Sequence, residues 1–188
     1  MKMPGPLRAL IALLLLAVST AAPAELRLQT VTGVDLNRYT GRWYEIARLP
    51  NRFQTQCVAN VTADYRLRDD GRLDVLNRCL TAQDGESAAP GVARIVDKMH
   101  RAKLKVRFAP EWLSWLPLVW GDYWIVALAD DYRYAAVSAP SGDYLWILAR
   151  QPQLADADYH AILQQLTPMG LNLSALVRTS QTSQQDGP

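Results

Sequence analysis

The amino-acid sequence predicts an all-β protein whose strands close into a barrel, with one helix packed on the outside. Short runs of alternating apolar and polar residues, separated by turn-forming residues, recur from Trp43 to Arg150. Trp43 enters the first run and Arg150 ends the last, and their side chains can stack only if the sheet closes on itself. After Arg150 the apolar period becomes that of a helix. These observations indicate an eight-stranded up-and-down antiparallel β-barrel with a C-terminal α-helix.

The first 24 residues have the pattern of a cleaved secretory signal peptide. Lys2 and Arg8 give a positive start, and the apolar stretch over 9–18 is too short to span a bilayer. Ala22-Pro23-Ala24 offers the small residues that signal peptidases require. We therefore expect residues 1–24 to be removed and the protein to be exported. It would then be periplasmic, secreted or associated with the outer membrane.

The rest of the chain is expected to form one domain over 25–179, followed by a polar, disordered tail over 180–188. Loss of Lys2 and Arg8 lowers the Lys+Arg count from 20 to 18, which equals the 18 Asp+Glu, so the formal net charge becomes zero. A neutral chain lacks the basic face that nucleic acids require, so no nucleic-acid partner is expected. No cysteine lies near the cleavage site, so we do not expect a bacterial lipoprotein anchor.

Eight predicted strands define the barrel, and their connections define its two ends. Alternate connections of an up-and-down barrel lie at the same end, so the short ones mark a closed end and the longer ones a mouth. The predicted strands are 42–49, 57–67, 72–81, 91–97, 102–109, 121–129, 132–138 and 143–150. The short connections are 68–71, 98–101 and 129–131, and the longer ones are 50–56, 81–90, 109–120 and 139–142.

One helix is predicted after the last strand. Tyr159, Ile162, Leu163 and Leu166 fall at i, i+3, i+4 and i+7, which places them on one helical face. That face should pack on the outer wall of the barrel.

The two cysteines of the chain are predicted to form a disulfide. Strand periodicity places Cys57 and Cys79 inside the barrel, on neighbouring strands toward the mouth. An even cysteine count in an exported chain also favours a bridge, which would close a loop of about 20 residues and contribute ~3 kcal/mol. Two buried free thiols are the alternative.

The same periodicity predicts an apolar cup with a few polar groups, which is the usual composition of a ligand pocket. The alternative is a small closed core that the aromatic side chains fill completely. The predicted ligand-binding residues are Tyr65, Val75, Asn77, Phe108, Trp124, Trp146 and Glu45.

The connection over 112–120 is unusually rich in tryptophan. Trp112, Trp115, Leu116 and Trp120 would form a large apolar patch if exposed, and tryptophan is suited to a membrane interface. We expect peripheral membrane contact there. The alternative is a lid over the mouth, or a loop packed on the barrel.

Three short motifs, in order, resemble the signatures of the lipocalin family. Gly41-Arg42-Trp43-Tyr44-Glu45 resembles the first, Asp131-Tyr132 the second and Arg150 the third. The resemblance covers roughly 33–180, and finer features resemble the bacterial lipocalin and apolipoprotein D-like branch. It implies a lipocalin β-barrel and a fatty acid, lysophospholipid or similar lipid as ligand. Monomer and homodimer both stay open, since the tryptophan-rich connection could pair with a second copy. It gives Gly41, Trp43, Asp131, Tyr132 and Arg150 structural roles.

Catalysis is not expected. His100 and His160 are isolated, so no metal site or cofactor is predicted, and no serine lies in a recognisable nucleophile motif. One enzyme alternative remains, because some lipocalins are isomerases with a free cysteine in the cavity. A scavenger or partner-binding lipocalin is the other alternative.

Overall fold

The computed structural model describes residues 25–83 and 85–182. The predicted signal peptide lies outside the described residues. These residues form two α-helices and nine strands: α1 Leu36–Tyr39, β1 Gly41–Arg48, β2 Cys57–Leu67, β3 Leu73–Thr81, β4 Glu86–Ile95, β5 Lys103–Arg107, β6 Gly121–Leu128, β7 Tyr134–Ser138, β8 Leu145–Ala149, α2 Asp156–Leu166 and β9 Val177–Arg178. Within the described part of the chain, no helix is long and apolar enough to cross a membrane.

The strands form a closed antiparallel barrel, as predicted. Each strand from β1 to β8 pairs with the next, and β1 also pairs with β8, which closes the wall. The short β9 adds to the edge of β1 over Ala47 and Arg48. Alternating side chains consequently fall into two buried clusters, one inside the barrel and one between its outer wall and α2.

Trp43 and Arg150 close one end of the barrel, which confirms their predicted contact. The Arg150 guanidinium lies 3.9 Å from the centre of the Trp43 ring, and Trp43 is fully buried. The Trp43 Nε1–H donates to the backbone oxygen of Tyr39, 2.8 Å away. Gly41 has φ +91°, a left-handed conformation that glycine adopts readily, and Arg150 Nη1 lies 3.4 Å from where its Cβ would stand.

The second signature motif holds α1 against the same end. The Tyr132 hydroxyl accepts a hydrogen bond from the Asp35 backbone N–H at 2.8 Å, and the Arg38 guanidinium stacks on the Tyr132 ring. Asp131 accepts hydrogen bonds from the backbone and the side chain of Arg133. Both residues therefore make contacts within the fold at this end.

Two predicted boundaries are wrong. The 81–90 connection is not a long mouth loop, because β4 begins at Glu86 and pairs with β3 from Leu80↔Glu86 onward. Pairing with the long β3 overrides the weak strand propensity of the Ala, Pro and Gly residues there. The tail boundary at 180 is also too early, because residues 180–182 hydrogen-bond to the barrel. Residues 183–188 lie outside the described residues.

Candidate functional site

Three tyrosines form the floor of the cup, of which Tyr39 and Tyr65 are buried and Tyr123 is partly buried. Tyr39 comes from α1, Tyr65 from β2 and Tyr123 from β6. The Tyr123 hydroxyl lies 2.8 Å from that of Tyr39 and 3.0 Å from that of Tyr65. Burial raises the pKa of all three, that of Tyr65 to about 12, so the floor is uncharged at neutral pH. We call this set the floor tyrosines.

Trp124 does not line the cup, contrary to the prediction. Tyr123 pairs with Leu104, which belongs to the interior cluster, so the inward residues of β6 are Tyr123 and Ile125. Trp124 packs with the outer cluster, and the Lys103 ammonium lies 4.4 Å from its ring centre. Beyond Asp122 both faces of β6 are apolar because α2 covers the outer one. Asp122 shares the parity of Trp124 and pairs with Lys105, so it is the one signal in β6 that could have identified Tyr123 as the inward residue.

Val75 and Asn77 lie on the inner wall, as predicted. Val75 is 3 % exposed. Asn77 lies one inward position nearer the mouth, and its partner on β4, Ala89, is exposed. The interior is therefore filled at the floor and becomes accessible toward the mouth. The Asn77 Oδ1 atom is buried and has no hydrogen-bond partner among the described residues. It can accept a hydrogen bond from a ligand or a water molecule.

Phe108 lies at the rim and not deep in the cup. It follows the last residue of β5 and is 44 % exposed. Its ring lies against Gly91 of β4, so close that a Cβ on Gly91 would stand 2.7 Å from a ring carbon. Glycine at 91 therefore makes room for the aromatic side chain at the rim.

An aromatic row leads from the opposite rim into the cup. Trp146 packs against the interior cluster, as predicted, and stacks on Tyr144 with 5.7 Å between ring centres. Tyr144 in turn contacts Phe53, which is 56 % exposed. Neither partner is among the predicted site residues. Tyr144 shares the strand parity of Trp146 and could have been found, but Phe53 lies in an irregular connection.

Glu45 is buried in a polar network beside this row. Its carboxylate accepts hydrogen bonds from Arg48 at 2.6 Å, Gln54 at 2.7 Å and Thr179 at 2.5 Å. Gln54 also accepts a hydrogen bond from the Trp146 Nε1–H at 2.8 Å. The charge of Glu45 is thus paired with that of Arg48, and the network fixes the orientation of the Trp146 ring.

Cys57 and Cys79 form the predicted disulfide at the mouth end of β2 and β3. They are the two cysteines of the whole chain, so neither thiol is free in this structure. The isomerase alternative requires a free cavity thiol, which this arrangement does not provide. Among the described residues, no group of His, Cys, Asp and Glu is arranged to hold a metal ion.

The tryptophan-rich connection lies against the outer wall. Trp120 stacks under Arg94 and Arg107 on the outer face of β4 and β5, and its Nε1–H donates to the Ser114 backbone oxygen. Arg107 also pairs with Glu111. The connection therefore packs on the barrel and does not cover the mouth.

Its outer surface remains apolar. Trp112 is 73 % exposed, Trp115 is 74 % exposed and Leu118 is 97 % exposed, whereas Leu116 and Trp120 are partly buried. Two short 3₁₀-helices, Glu111–Leu113 and Pro117–Val119, hold these side chains in place. The predicted patch exists, but on the flank of the barrel. Leu118 belongs to it, whereas the predicted members Leu116 and Trp120 do not.

Comparison with known proteins agrees with this architecture. The family model for a lipocalin-like domain matches residues 34–181. Temperature-induced lipocalin-1 of Arabidopsis thaliana is 39 % identical over 158 residues, 82 % of this chain and 83 % of that protein. The outer membrane lipoprotein Blc of Escherichia coli is 36 % identical over 168 residues, 88 % of this chain and 90 % of that protein.

More distant proteins share the family or the fold. Apolipoprotein D of Mus musculus is 32 % identical over 158 residues, 79 % of this chain and 78 % of that protein. The structure of insecticyanin from the tobacco hornworm superposes with a TM-score of 0.65 at 19 % identity, covering 86 % of this chain and 89 % of that one. The closed barrel, the Trp43–Arg150 contact and these matches lead to one conclusion: the chain belongs to the lipocalin family.

Proposed function

We propose that the protein binds and carries a lipophilic small molecule, such as a fatty acid or a lysophospholipid, in the cup above the floor tyrosines. The observation that carries the proposal is an interior that is apolar and closed at the floor and becomes accessible toward the mouth. An acyl chain can lie along the aromatic row, with its head group near the mouth. The relationship to lipocalins, a family of binding and transport proteins, supports this function.

Burial of the acyl chain supplies the binding free energy. Each methylene that leaves water contributes ~0.8 kcal/mol, so about fifteen methylenes contribute about 12 kcal/mol. Association costs at least ~4 kcal/mol, which leaves about 8 kcal/mol and a micromolar dissociation constant.

Two tryptophans that lie on opposite faces of the wall provide the test. Trp146→Ala removes a ring from the cup, and Trp124→Ala removes a ring of the same size from the outer wall. We expect Trp146→Ala to weaken binding of a fluorescent fatty acid at least tenfold, and Trp124→Ala to leave it unchanged. Equal loss in both variants, or no binding by the unmodified protein, would contradict the proposed function.

The exposed apolar patch of Trp112, Trp115 and Leu118 supports a second element of the proposal, peripheral contact with a membrane during lipid uptake or delivery. Co-flotation with phosphatidylcholine vesicles tests it. The double variant Trp112→Ser/Trp115→Ser should lose most of the vesicle binding, while Trp124→Ala, whose change lies elsewhere on the outer wall, should retain it. Vesicle binding that survives the double variant would refute this contact.

The proposed location is the cell envelope. The N-terminal signal-peptide pattern and the relationship to an outer membrane lipoprotein and to apolipoproteins support export. Fractionation of cells that express the full chain, together with mass spectrometry of the mature N-terminus, tests this. A cytoplasmic protein that retains Met1 would contradict it.

A further inference from the structure

The barrel wall has a seam at the mouth end, between β1 and β2. The two strands pair from Gly41↔Tyr65 to Tyr44↔Thr62, and no pair follows beyond Tyr44. Beyond this point β2 is irregular, with register shifts against β3 and a left-handed φ of +52° at Asn60. The edge of β1 pairs with β9 at Ala47 and Arg48, so the carbonyl groups of Glu45 and Ile46, and those of β2 opposite them, face no partner strand across the seam.

The C-terminal segment 179–182 fills this seam. On one side, the Thr179 backbone N–H donates to the Ile46 oxygen of β1, at 3.0 Å. On the other side, the Asn60 backbone N–H donates to the Ser180 oxygen at 2.8 Å, and the Asn60 Oδ1 atom accepts from the Thr182 backbone N–H at 2.8 Å. We call residues 179–182 the strap.

Gln181 joins the two edges directly. Its side-chain Nε2 donates to the backbone oxygen of Glu45 in β1 at 2.8 Å and to the backbone oxygen of Val61 in β2 at 2.9 Å. One amide group therefore satisfies two carbonyls that face each other across the seam, in place of a missing backbone pair.

The strap also contacts the polar network around Glu45. The Thr179 hydroxyl donates to the Glu45 carboxylate, which Gln54 links to Trp146. The strap is thus both a part of the wall and one hydrogen bond away from groups that position the aromatic row.

We propose that the strap is a gate in the side of the ligand site, which controls how fast a lipid enters and leaves the cup. This inference rests on the proposed lipid binding. When the strap is displaced, the seam between β1 and β2 becomes a second opening. An opening accelerates entry and exit together, so both rate constants should rise while the dissociation constant changes little.

Stopped-flow measurement of association and dissociation of a fluorescent long-chain fatty acid tests the proposal. Gln181→Glu keeps the shape of the side chain but replaces its two donors with carboxylate oxygens. Each lost hydrogen bond corresponds to about a fivefold change, so we expect both rate constants to rise about tenfold or more, with the dissociation constant within threefold. Ser180→Ala is the matched control, because Ser180 contacts β2 through its backbone oxygen.

Truncation provides a second comparison. A chain that ends at Thr182 should match the full chain, and a chain that ends at Arg178 should show the same faster exchange as Gln181→Glu. Unchanged rate constants in both the Gln181→Glu variant and the chain that ends at Arg178 would overturn the proposal that the strap is a gate. A larger dissociation constant with an unchanged association rate constant would overturn it as well. If the full chain takes up no fatty acid at all, the proposed function itself fails, which is a distinct result.

Discussion

Replacement of Arg150 by alanine should destabilise the barrel. The guanidinium lies 3.9 Å from the centre of the Trp43 ring and donates to the backbone oxygens of Arg42, at 3.0 Å, and Arg38, at 2.5 Å. Burial lowers the pKa of Arg150, which indicates a partly desolvated cation. The cation–π contact contributes ~1–2 kcal/mol and each half-exposed hydrogen bond about 1 kcal/mol, so we expect a loss of about 3–4 kcal/mol in the free energy of unfolding.

Thermal unfolding followed by circular dichroism measures this loss. In a domain of this size each kcal/mol lowers the Tm by about 2–4 °C, so Arg150→Ala should lower it by roughly 6–16 °C. Arg150→Lys keeps the charge but not the forked donor and should lose about half as much. Arg38→Ala is the control, because its exposed guanidinium stacks on Tyr132 and donates one hydrogen bond, to the Asp130 backbone oxygen, at the same end, so its loss should cost about 1–2 kcal/mol. Equal Tm shifts for Arg150→Ala and Arg38→Ala would refute the assigned role of Arg150.

Three further predictions concern the floor, the rim and the disulfide. The pKa values of the floor tyrosines are raised in the folded protein, so their contribution to stability is complete below pH ~10 and is lost as the pH rises toward about 12, the pKa of Tyr65. An ultraviolet titration of the folded protein should therefore leave three of the 8 tyrosines un-ionised near pH 11. Ionisation of all the tyrosines near pH 10 would contradict the burial of these three. Gly91→Ala should cost about 1–3 kcal/mol in urea unfolding, because the new Cβ would meet the Phe108 ring and a backbone oxygen at 2.7 Å; an unchanged midpoint would show that the rim is open there. Cys57→Ser/Cys79→Ser should cost ~2–4 kcal/mol, and the unreduced parent protein should be two hydrogens lighter than its thiol form; the full thiol mass would exclude the bridge.

Local pattern and pair chemistry were sufficient to predict the closed end and most of the wall. The presence and order of the eight barrel strands follow from the alternation of apolar and polar residues. The disulfide follows from the two cysteines, and the contact of Arg150 with Trp43 follows from the attraction between a guanidinium and an indole ring. The prediction is correct for Val75 because the other face of β3 carries Asp74 and Arg78, and for Trp146 because it shares the strand parity of Arg150.

The errors occur where a second tertiary contact decides the outcome. Trp124 is predicted in the cup because the rest of its face of β6 is apolar, although Asp122, which shares its parity and pairs with Lys105, marks that face as the outer one. The start of β4 was missed because its pairing with β3, and not its own composition, makes residues 86–90 a strand. Gln181 was assigned to a disordered tail because its two acceptors, on Glu45 and Val61, come together only in the closed barrel.

The distribution of polar groups separates the parts of the barrel that provide stability from those that provide binding. At the closed end, the Trp43 Nε1–H, the Arg150 guanidinium and the floor tyrosines all have partners within the protein, so a ligand there would have to displace existing hydrogen bonds. Toward the mouth, the Asn77 Oδ1 atom has none among the described residues, and an acceptor of this kind gains from a ligand that donates. Variants of the closed end should therefore change the Tm without changing ligand choice. An Asn77→Leu variant should instead keep the Tm within a few degrees and shift preference away from ligands with a hydroxyl donor.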